Sequence, residues 1–163
     1  MGNIVPDWIR KPVQRISQAM TGTGSDHDET AVDDVRPRVL CVDDNPKVLK
    51  LLKRQLGVRY DLHIAQTAHD ALALIASAGP FDAIISDLRM PDVHGLTFLK
   101  KAREVAPTTP RIILTGLPDP TTMSVARSAG AAESLIVKPW TREELIQAVD
   151  SAVQRRRDQA AAV

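Results

Sequence analysis

Three carboxylates, one hydroxyl and one ammonium group each stand at the end of a short apolar run in this sequence. Asp43-Asp44 follows VLCV, Asp87 follows AIIS, Thr115 ends RIILT and Lys138 follows SLIV. Two carboxylates ~4 Å apart repel by roughly 4 kcal/mol at an effective dielectric of 20, so clustered acids require a cation or raised pKa values. Oxygen ligands favour a hard ion such as Mg²⁺. A metal beside an ammonium and a hydroxyl suits a phosphoryl group, which leaves the Asp87 carboxylate as a nucleophile.

The elements that would position these groups alternate regularly between short apolar runs and amphipathic stretches. The sequence predicts five strand–helix pairs: 39–42 with 46–56, 61–65 with 68–78, 83–86 with 95–106, 111–115 with a helix from Pro120, and 134–137 with a helix that Thr141 and Glu144 cap. Such alternation predicts a parallel sheet that is covered by helices on both faces. Ligands of such a sheet bind at the carboxyl ends of its strands, where the five polar groups lie.

Composition and charge exclude several classes of protein. The 163 residues are 44% hydrophobic and 25% charged, with a formal net charge of +1, which argues against a strongly basic nucleic-acid binder. The single cysteine, Cys41, excludes an intrachain disulfide and a cysteine-built zinc site. No apolar run approaches the about 20 residues of a membrane span, and no secretory signal begins the chain. We therefore expect a cytoplasmic protein.

Four separated motifs resemble the receiver domain of two-component response regulators. They are VLCVDDN at 39–45, DAIISDLRMPDVHG at 82–95, IILTG at 112–116 and LIVKPW at 135–140. The resemblance implies a flavodoxin-like α/β fold, a doubly wound five-stranded parallel sheet of order 2-1-3-4-5 with five helices.

The same resemblance assigns a role to each polar group. Asp87 would accept a phosphoryl group from a phosphohistidine, and Thr115 and Lys138 would bind the phosphoryl oxygens. The ligands of Mg²⁺ would be the carboxylates of Asp43, Asp44 and Asp87 and the backbone carbonyl of Arg89. The Lys138–Pro139 bond would be cis. The protein would be no enzyme beyond catalysing its own Mg²⁺-dependent phosphorylation and dephosphorylation.

Partners follow from the resemblance as well. A histidine kinase or a histidine phosphotransfer protein would donate the phosphoryl group, and a downstream output protein would bind a face around the fourth helix, the fifth strand and the fifth helix. We expect Leu135 and Trp140 to be the switch residues of that face. Leu135 stands where relatives often have an aromatic residue, so a degenerate receiver that acts as a phosphorylation-independent interaction module stays an alternative.

Two enzyme classes fit less well. An aspartyl-phosphate phosphatase needs a second Asp two residues after its nucleophile, where this chain has Arg89, and a dinucleotide-binding enzyme needs Gly-x-Gly after the first strand.

The resemblance and the shifts in composition divide the chain into four segments. We predict an amphipathic segment at 1–20, an acidic flexible linker at 21–36, a receiver domain at 37–154 and a basic, alanine-containing tail at 155–163. The first segment is expected to dock on a partner or on the domain itself rather than on a membrane, because its three basic residues are few. Arg155, Arg156 and Arg157 are too few charges for a nucleic-acid contact, so we expect none.

Overall fold

The computed structural model describes residues 35–162. The predicted amphipathic segment 1–20 and all but the last two residues of the predicted linker 21–36 lie outside the described residues. Ten elements alternate along the described part: β1 (Arg38–Val42), α1 (Pro46–Leu56), β2 (Asp61–Ala65), α2 (Ala68–Ala78), β3 (Ala83–Asp87), α3 (Gly95–Val105), β4 (Arg111–Thr115), α4 (Pro120–Ser128), β5 (Ser134–Val137) and α5 (Arg142–Ala161).

The five strands form one parallel sheet of order β2-β1-β3-β4-β5, which confirms the predicted doubly wound fold. The register aligns the carboxyl ends of the central strands. Val42 pairs with Ser86, Asp87 pairs with Leu114, and Thr115 pairs with Val137. Because successive residues of a strand lie only about 3.3 Å apart, the polar residues that end or follow these strands meet at one edge.

Alternate residues of the strands supply two separate cores, one on each face of the sheet. The first face is covered by α2, α3 and α4, and its strand residues include Leu40, Val42, Ile84 and Ile113. The second face is covered by α1 and α5, and its strand residues include Val39, Cys41, Ile85, Ile112 and Leu114. All nine of these strand side chains are at most 1% exposed. Burial on both faces explains why the strand sequences are continuous apolar runs.

Three of the helices begin at capping residues, and the capping box of α5 is among the sequence predictions. The side chain of Asn45 accepts a hydrogen bond from the Lys47 backbone N–H at the start of α1. Asp119 does the same for Thr121 and Thr122 at the start of α4, with Pro120 as its first residue. Thr141 and Glu144 form the predicted capping box of α5. These caps place the helices directly after the polar ends of β1, β4 and β5.

Helix α5 is longer than the sequence predicts. It continues past Gln154 to Ala161, so the predicted tail 155–163 is helical over nearly all of its length. The amide of Gln154 donates to the Asp158 carboxylate at 2.9 Å, and the Arg156 guanidinium contacts the Asp82 carboxylate at 2.5 Å. The contact with Asp82 ties the extra turns to the loop before β3, and Arg and Ala have high helix propensity.

The helices found within residues 35–162 include none with the length and hydropathy of a membrane span.

Candidate functional site

Three carboxylates meet at the carboxyl edge of the sheet. One carboxylate oxygen from each of Asp43, Asp44 and Asp87 lies within 4.8 Å of the other two. Asp43 and Asp87 are 1% and 8% exposed, whereas Asp44 is exposed. The structure therefore brings together the three acids that the sequence singles out, with two of them withdrawn from water.

Lys138 supplies positive charge to the two buried acids. Its Nζ atom lies 3.2 Å from Oδ2 of Asp43 and 3.4 Å from Oδ1 of Asp87. The lysine is placed by its own backbone, because its N–H donates to the Thr115 carbonyl at 2.8 Å. The Lys138–Pro139 peptide bond is cis, as the resemblance implies.

Burial disfavours the ionised form of Asp43 in spite of this lysine. Burial raises its pKa above the usual value, and the nearby Asp87 charge adds to the rise. A hydrogen bond from the Asn45 backbone N–H and the Lys138 ammonium act in the opposite direction without cancelling the effect. The donor set consists of carboxylate oxygens with a net deficit of positive charge, which is the chemistry that a hard divalent cation fits.

Thr115 is the last residue of β4, the strand that pairs with the Asp87-bearing β3, and it is only 4% exposed. The hydroxyl oxygen accepts a hydrogen bond from the Leu117 backbone N–H at 3.3 Å. The Thr115 carbonyl binds the Lys138 N–H, so the hydroxyl-bearing and ammonium-bearing residues are joined through their backbones.

The loop between β3 and α3 carries Arg89, whose side chain is exposed. Its two neighbours, Leu88 and Met90, are 5% and 7% exposed and belong to the core of the first face. The Leu88 N–H donates to Oδ1 of Asp87 at 2.9 Å, and the Leu88 carbonyl accepts from the Gly95 N–H at 2.8 Å. The backbone at Arg89 is thus held between two buried anchors.

Gly95 supports the site, although in the sequence it is only the first residue of a predicted helix. An added Cβ atom at this position would lie 2.1 Å from the Asp87 carbonyl oxygen and 2.7 Å from the Leu88 Cα atom. Only glycine allows the backbone of α3 to approach β3 so closely. Glycine at the first position of a predicted helix, where it is a poor helix former, is the pattern that could have revealed this role.

The two residues predicted as the switch and output face lie on opposite sides of the sheet. Leu135 is half-buried against the first core and lines a groove with residues of α4, including Met123 and Arg127. Trp140 packs against the second core, and its indole N–H donates to the Gln55 side chain of α1 at 2.8 Å. The structure does not bring Leu135 and Trp140 to one surface, because β5 directs one toward α4 while the chain after it turns toward α1.

Comparisons with known proteins agree on one family. The model of the response regulator receiver domain matches residues 39–150. The chain is 33% identical over 119 residues to the transcriptional regulatory protein TrcR of Mycobacterium tuberculosis, covering 72% of this chain and 46% of that protein. It is 34% identical over 119 residues to the response regulator MprA of Mycolicibacterium vanbaalenii, covering 72% and 51%. The chain therefore spans about half the length of these two curated relatives.

Two solved structures show the same likeness in three dimensions. One is the signal receiver domain of an HD domain-containing protein from Pseudomonas fluorescens, with a TM-score of 0.73, 30% identity and coverage of 90% of this chain and 100% of that chain. The other is a CheY-like response regulator receiver domain protein from Methanospirillum hungatei, with a TM-score of 0.71, 28% identity and coverage of 76% and 98%.

Proposed function

The chain belongs to the response regulator receiver domain family, and from that membership and the geometry of the acid cluster we propose that Asp87 accepts a phosphoryl group from a phosphohistidine. Family membership implies phosphorelay signalling in general. The choice of Asp87, of the metal and of the partners is the specific part of the proposal.

The observation that favours Asp87 over Asp43 is the state of its two carboxylate oxygens, whereas Asp44 differs from both in being exposed. Both oxygens of Asp43 are engaged, one by the Asn45 N–H and the other by Lys138. Asp87 engages only Oδ1, with the Leu88 N–H and Lys138. Within residues 35–162, no hydrogen bond or ion pair engages its Oδ2 atom, which leaves that oxygen available for attack.

The transfer is a displacement at phosphorus. A carboxylate oxygen of Asp87 forms the new P–O bond while the P–N bond to the donor imidazole breaks, and the departing ring nitrogen keeps the electron pair. The Lys138 ammonium and the Thr115 hydroxyl bind the phosphoryl oxygens, where negative charge accumulates. Hydrolysis of the acyl phosphate by water returns Asp87 to its starting state, so we propose no activity on a separate substrate.

We propose Mg²⁺ as the ion of this site, with the carboxylates of Asp43, Asp44 and Asp87 and the carbonyl of Arg89 as its protein ligands. Mg²⁺ prefers such oxygen ligands and retains several waters. Its charge offsets the repulsion among the acids and the charge of the incoming phosphoryl group. The composition of the cluster supports this assignment, because three carboxylates face a single ammonium group, that of Lys138. Burial also raises the pKa of Asp43, and a bound cation would favour its ionised form.

The proposed donor is a histidine kinase or a histidine phosphotransfer protein, and the proposed output is binding to a downstream protein. The groove between β5 and α4 that Leu135 lines supports an output surface on the first face of the sheet. TrcR is named a transcriptional regulatory protein, and this chain spans 46% of it. We propose no direct contact of this chain with nucleic acid, on the basis of its net charge of +1.

Labelling with acetyl phosphate tests the proposal without a cognate kinase. The wild-type protein, incubated with acetyl phosphate and Mg²⁺, should gain one phosphoryl group by intact-mass spectrometry, and hydroxylamine should remove it. Asp87→Asn should abolish labelling while circular dichroism shows an unchanged fold. Asp158→Asn, which removes an exposed carboxylate of α5, serves as the matched control and should label normally.

Labelling of Asp87→Asn at the wild-type rate would show that another residue is the acceptor. A folded wild-type protein that takes no label in Mg²⁺ would instead favour the phosphorylation-independent interaction module.

A further inference from the structure

The loop that carries Arg89 is attached to a helix that contributes no residue to the acid cluster. Oδ2 of Asp92 accepts a hydrogen bond from the backbone N–H of Ala68, the first residue of α2, at 2.9 Å. The two residues are 24 positions apart in sequence. This bond therefore joins the β3–α3 loop to the beginning of α2.

The bond gives a partner to a backbone N–H group at the start of α2. The first N–H groups of a helix have no partner within it, and Ala68 is only 1% exposed, so water has little access to this position. A carboxylate at a helix N-terminus is also stabilised by the helix dipole. The helix has a second, local cap, because the Thr67 side chain accepts from the Asp70 N–H at 3.0 Å. Asp92 and Thr67 thus cap the same helix end, but only Asp92 belongs to the loop.

The consequence for the loop follows from its other attachment. The Gly95 N–H donates to the Leu88 carbonyl at 2.8 Å and closes the two ends of the loop. Between these ends, the backbone at Arg89 lies between the buried side chains of Leu88 and Met90. The bond from Asp92 adds a tether on the far side of Met90, so it restrains the segment whose carbonyl group is the proposed fourth protein ligand of Mg²⁺.

We propose that Asp92 is a positioning residue of the metal site, which acts by tying the Arg89-bearing loop to α2 and thereby increases the affinity for Mg²⁺. This inference rests on the proposed function, since it takes the Arg89 carbonyl as a ligand. Asp92 itself is not a ligand in this account, and it acts only through the loop.

Two cap-removing variants separate this role from simple support of α2. Asp92→Ala removes the tether and one cap, whereas Thr67→Ala removes only the local cap of the same helix. Asp92→Asn keeps one side-chain oxygen that can accept from the Ala68 N–H. The affinity for Mg²⁺ is measured by isothermal titration and by the metal-dependent rise of the melting temperature. Amide hydrogen exchange at Ala68 reports directly on the bond.

We expect Asp92→Ala to weaken Mg²⁺ binding by roughly 2- to 10-fold, the range that corresponds to the net contribution of one hydrogen bond. Thr67→Ala should change the affinity by less than about twofold, and Asp92→Asn should bind nearly as tightly as the wild type. Exchange at Ala68 should be faster in Asp92→Ala than in the wild type, with Asp92→Asn lying close to the wild type.

The inference is overturned if Asp92→Ala binds Mg²⁺ as tightly as the wild type, or if Thr67→Ala weakens binding just as much. Loss of affinity in Asp92→Asn equal to that in Asp92→Ala would also overturn it, because the charge rather than the tether would then be responsible. A wild-type protein that binds no Mg²⁺ would refute the proposed metal site itself, and this inference with it.

Discussion

Replacing Gly95 by alanine tests whether the close approach of α3 to β3 is needed for the site. The new Cβ atom would meet the Asp87 carbonyl oxygen at 2.1 Å and the Leu88 Cα atom at 2.7 Å, whereas real Cβ contacts essentially never fall below 3.0 Å. Both opposing atoms belong to the backbone, so no side chain can rotate away. The start of α3 or the end of β3 must therefore move by roughly 1 Å, judged against ordinary packing distances.

The size of the effect can be worked from this clash. Overpacking of a well-packed interior costs typically about 1–3 kcal/mol, and a backbone-against-backbone clash belongs at the upper end. The better helix propensity of alanine returns at most about 1 kcal/mol. We expect a net loss of about 2–3 kcal/mol in the free energy of unfolding. For a domain of this size that loss corresponds to a fall of roughly 10 °C in melting temperature.

The effect on the labelling rate should be comparable in free energy to the effect on stability. A displacement of roughly 1 Å at a reacting group can cost about 100-fold in rate, and the atom that Gly95→Ala displaces belongs to Asp87 itself. The assay is labelling by acetyl phosphate at a temperature where urea titration shows the variant to be folded.

Gly116→Ala is the matched control for Gly95→Ala. Gly116 follows Thr115, but an added Cβ atom there meets nothing closer than the Lys138 Cβ atom at 3.9 Å. The stability of the Gly116→Ala variant should therefore stay near that of the wild type. Gly95→Ala with wild-type stability and labelling would refute the reasoning.

Two further predictions concern charges. Asp44→Ala should abolish most of the rise in melting temperature that Mg²⁺ causes. It should also slightly stabilise the metal-free protein, because it removes a charge that repels Asp43 and Asp87 by about 1 kcal/mol or less per pair in water. Equal Mg²⁺-induced shifts in melting temperature in the variant and the wild type would contradict the assigned role. The hydrogen bonds from the Thr122 hydroxyl and from the Thr121 and Thr122 backbone N–H groups lower the pKa of Asp119 below its usual value, so its contribution to stability is present above the unfolded pKa and is lost as the pH falls through the folded pKa. In urea unfolding, Asp119→Asn should therefore be less stable than the wild type at pH 7, and the difference should shrink as the pH falls below the ordinary pKa of an aspartate. A difference that does not change with pH would contradict this account.

Local patterns predicted the parallel α/β sheet and the acid cluster, whereas the strand order 2-1-3-4-5 came from the resemblance to receiver domains. The caps at Asp119 and Thr141, together with apolar runs of four or five residues, locate most of the elements to within a residue or two, although α5 continues past Gln154 to Ala161. The alternation of strands and helices predicts a parallel sheet, and such a sheet brings strand ends together. The positions of Asp43, Asp87 and Lys138 follow from that topology without any knowledge of tertiary contacts.

Features that depend on long-range geometry were not predictable in this way. The tether from Asp92 to Ala68 and the contact of Gly95 with Asp87 arise only after the loop has folded back on the sheet. The extra turns of α5 depend on the pairing of Arg156 with Asp82, which is remote in sequence and invisible to helical periodicity. The separation of Leu135 from Trp140 likewise depends on the direction of the chain after β5.

The position of β5 at the edge of the sheet has a consequence for how the site fluctuates. This strand pairs only with β4 within the described sheet, and Ile136 is its one buried residue. Segments with few buried contacts open locally at low free-energy cost. Lys138 follows it directly and reaches Asp43 across 95 positions of sequence. A local opening that detaches β5 therefore removes the ammonium from both buried acids while β1 and β3 remain paired. Amide hydrogen exchange along β5 consequently reports how often Asp43 and Asp87 lose the Lys138 ammonium group.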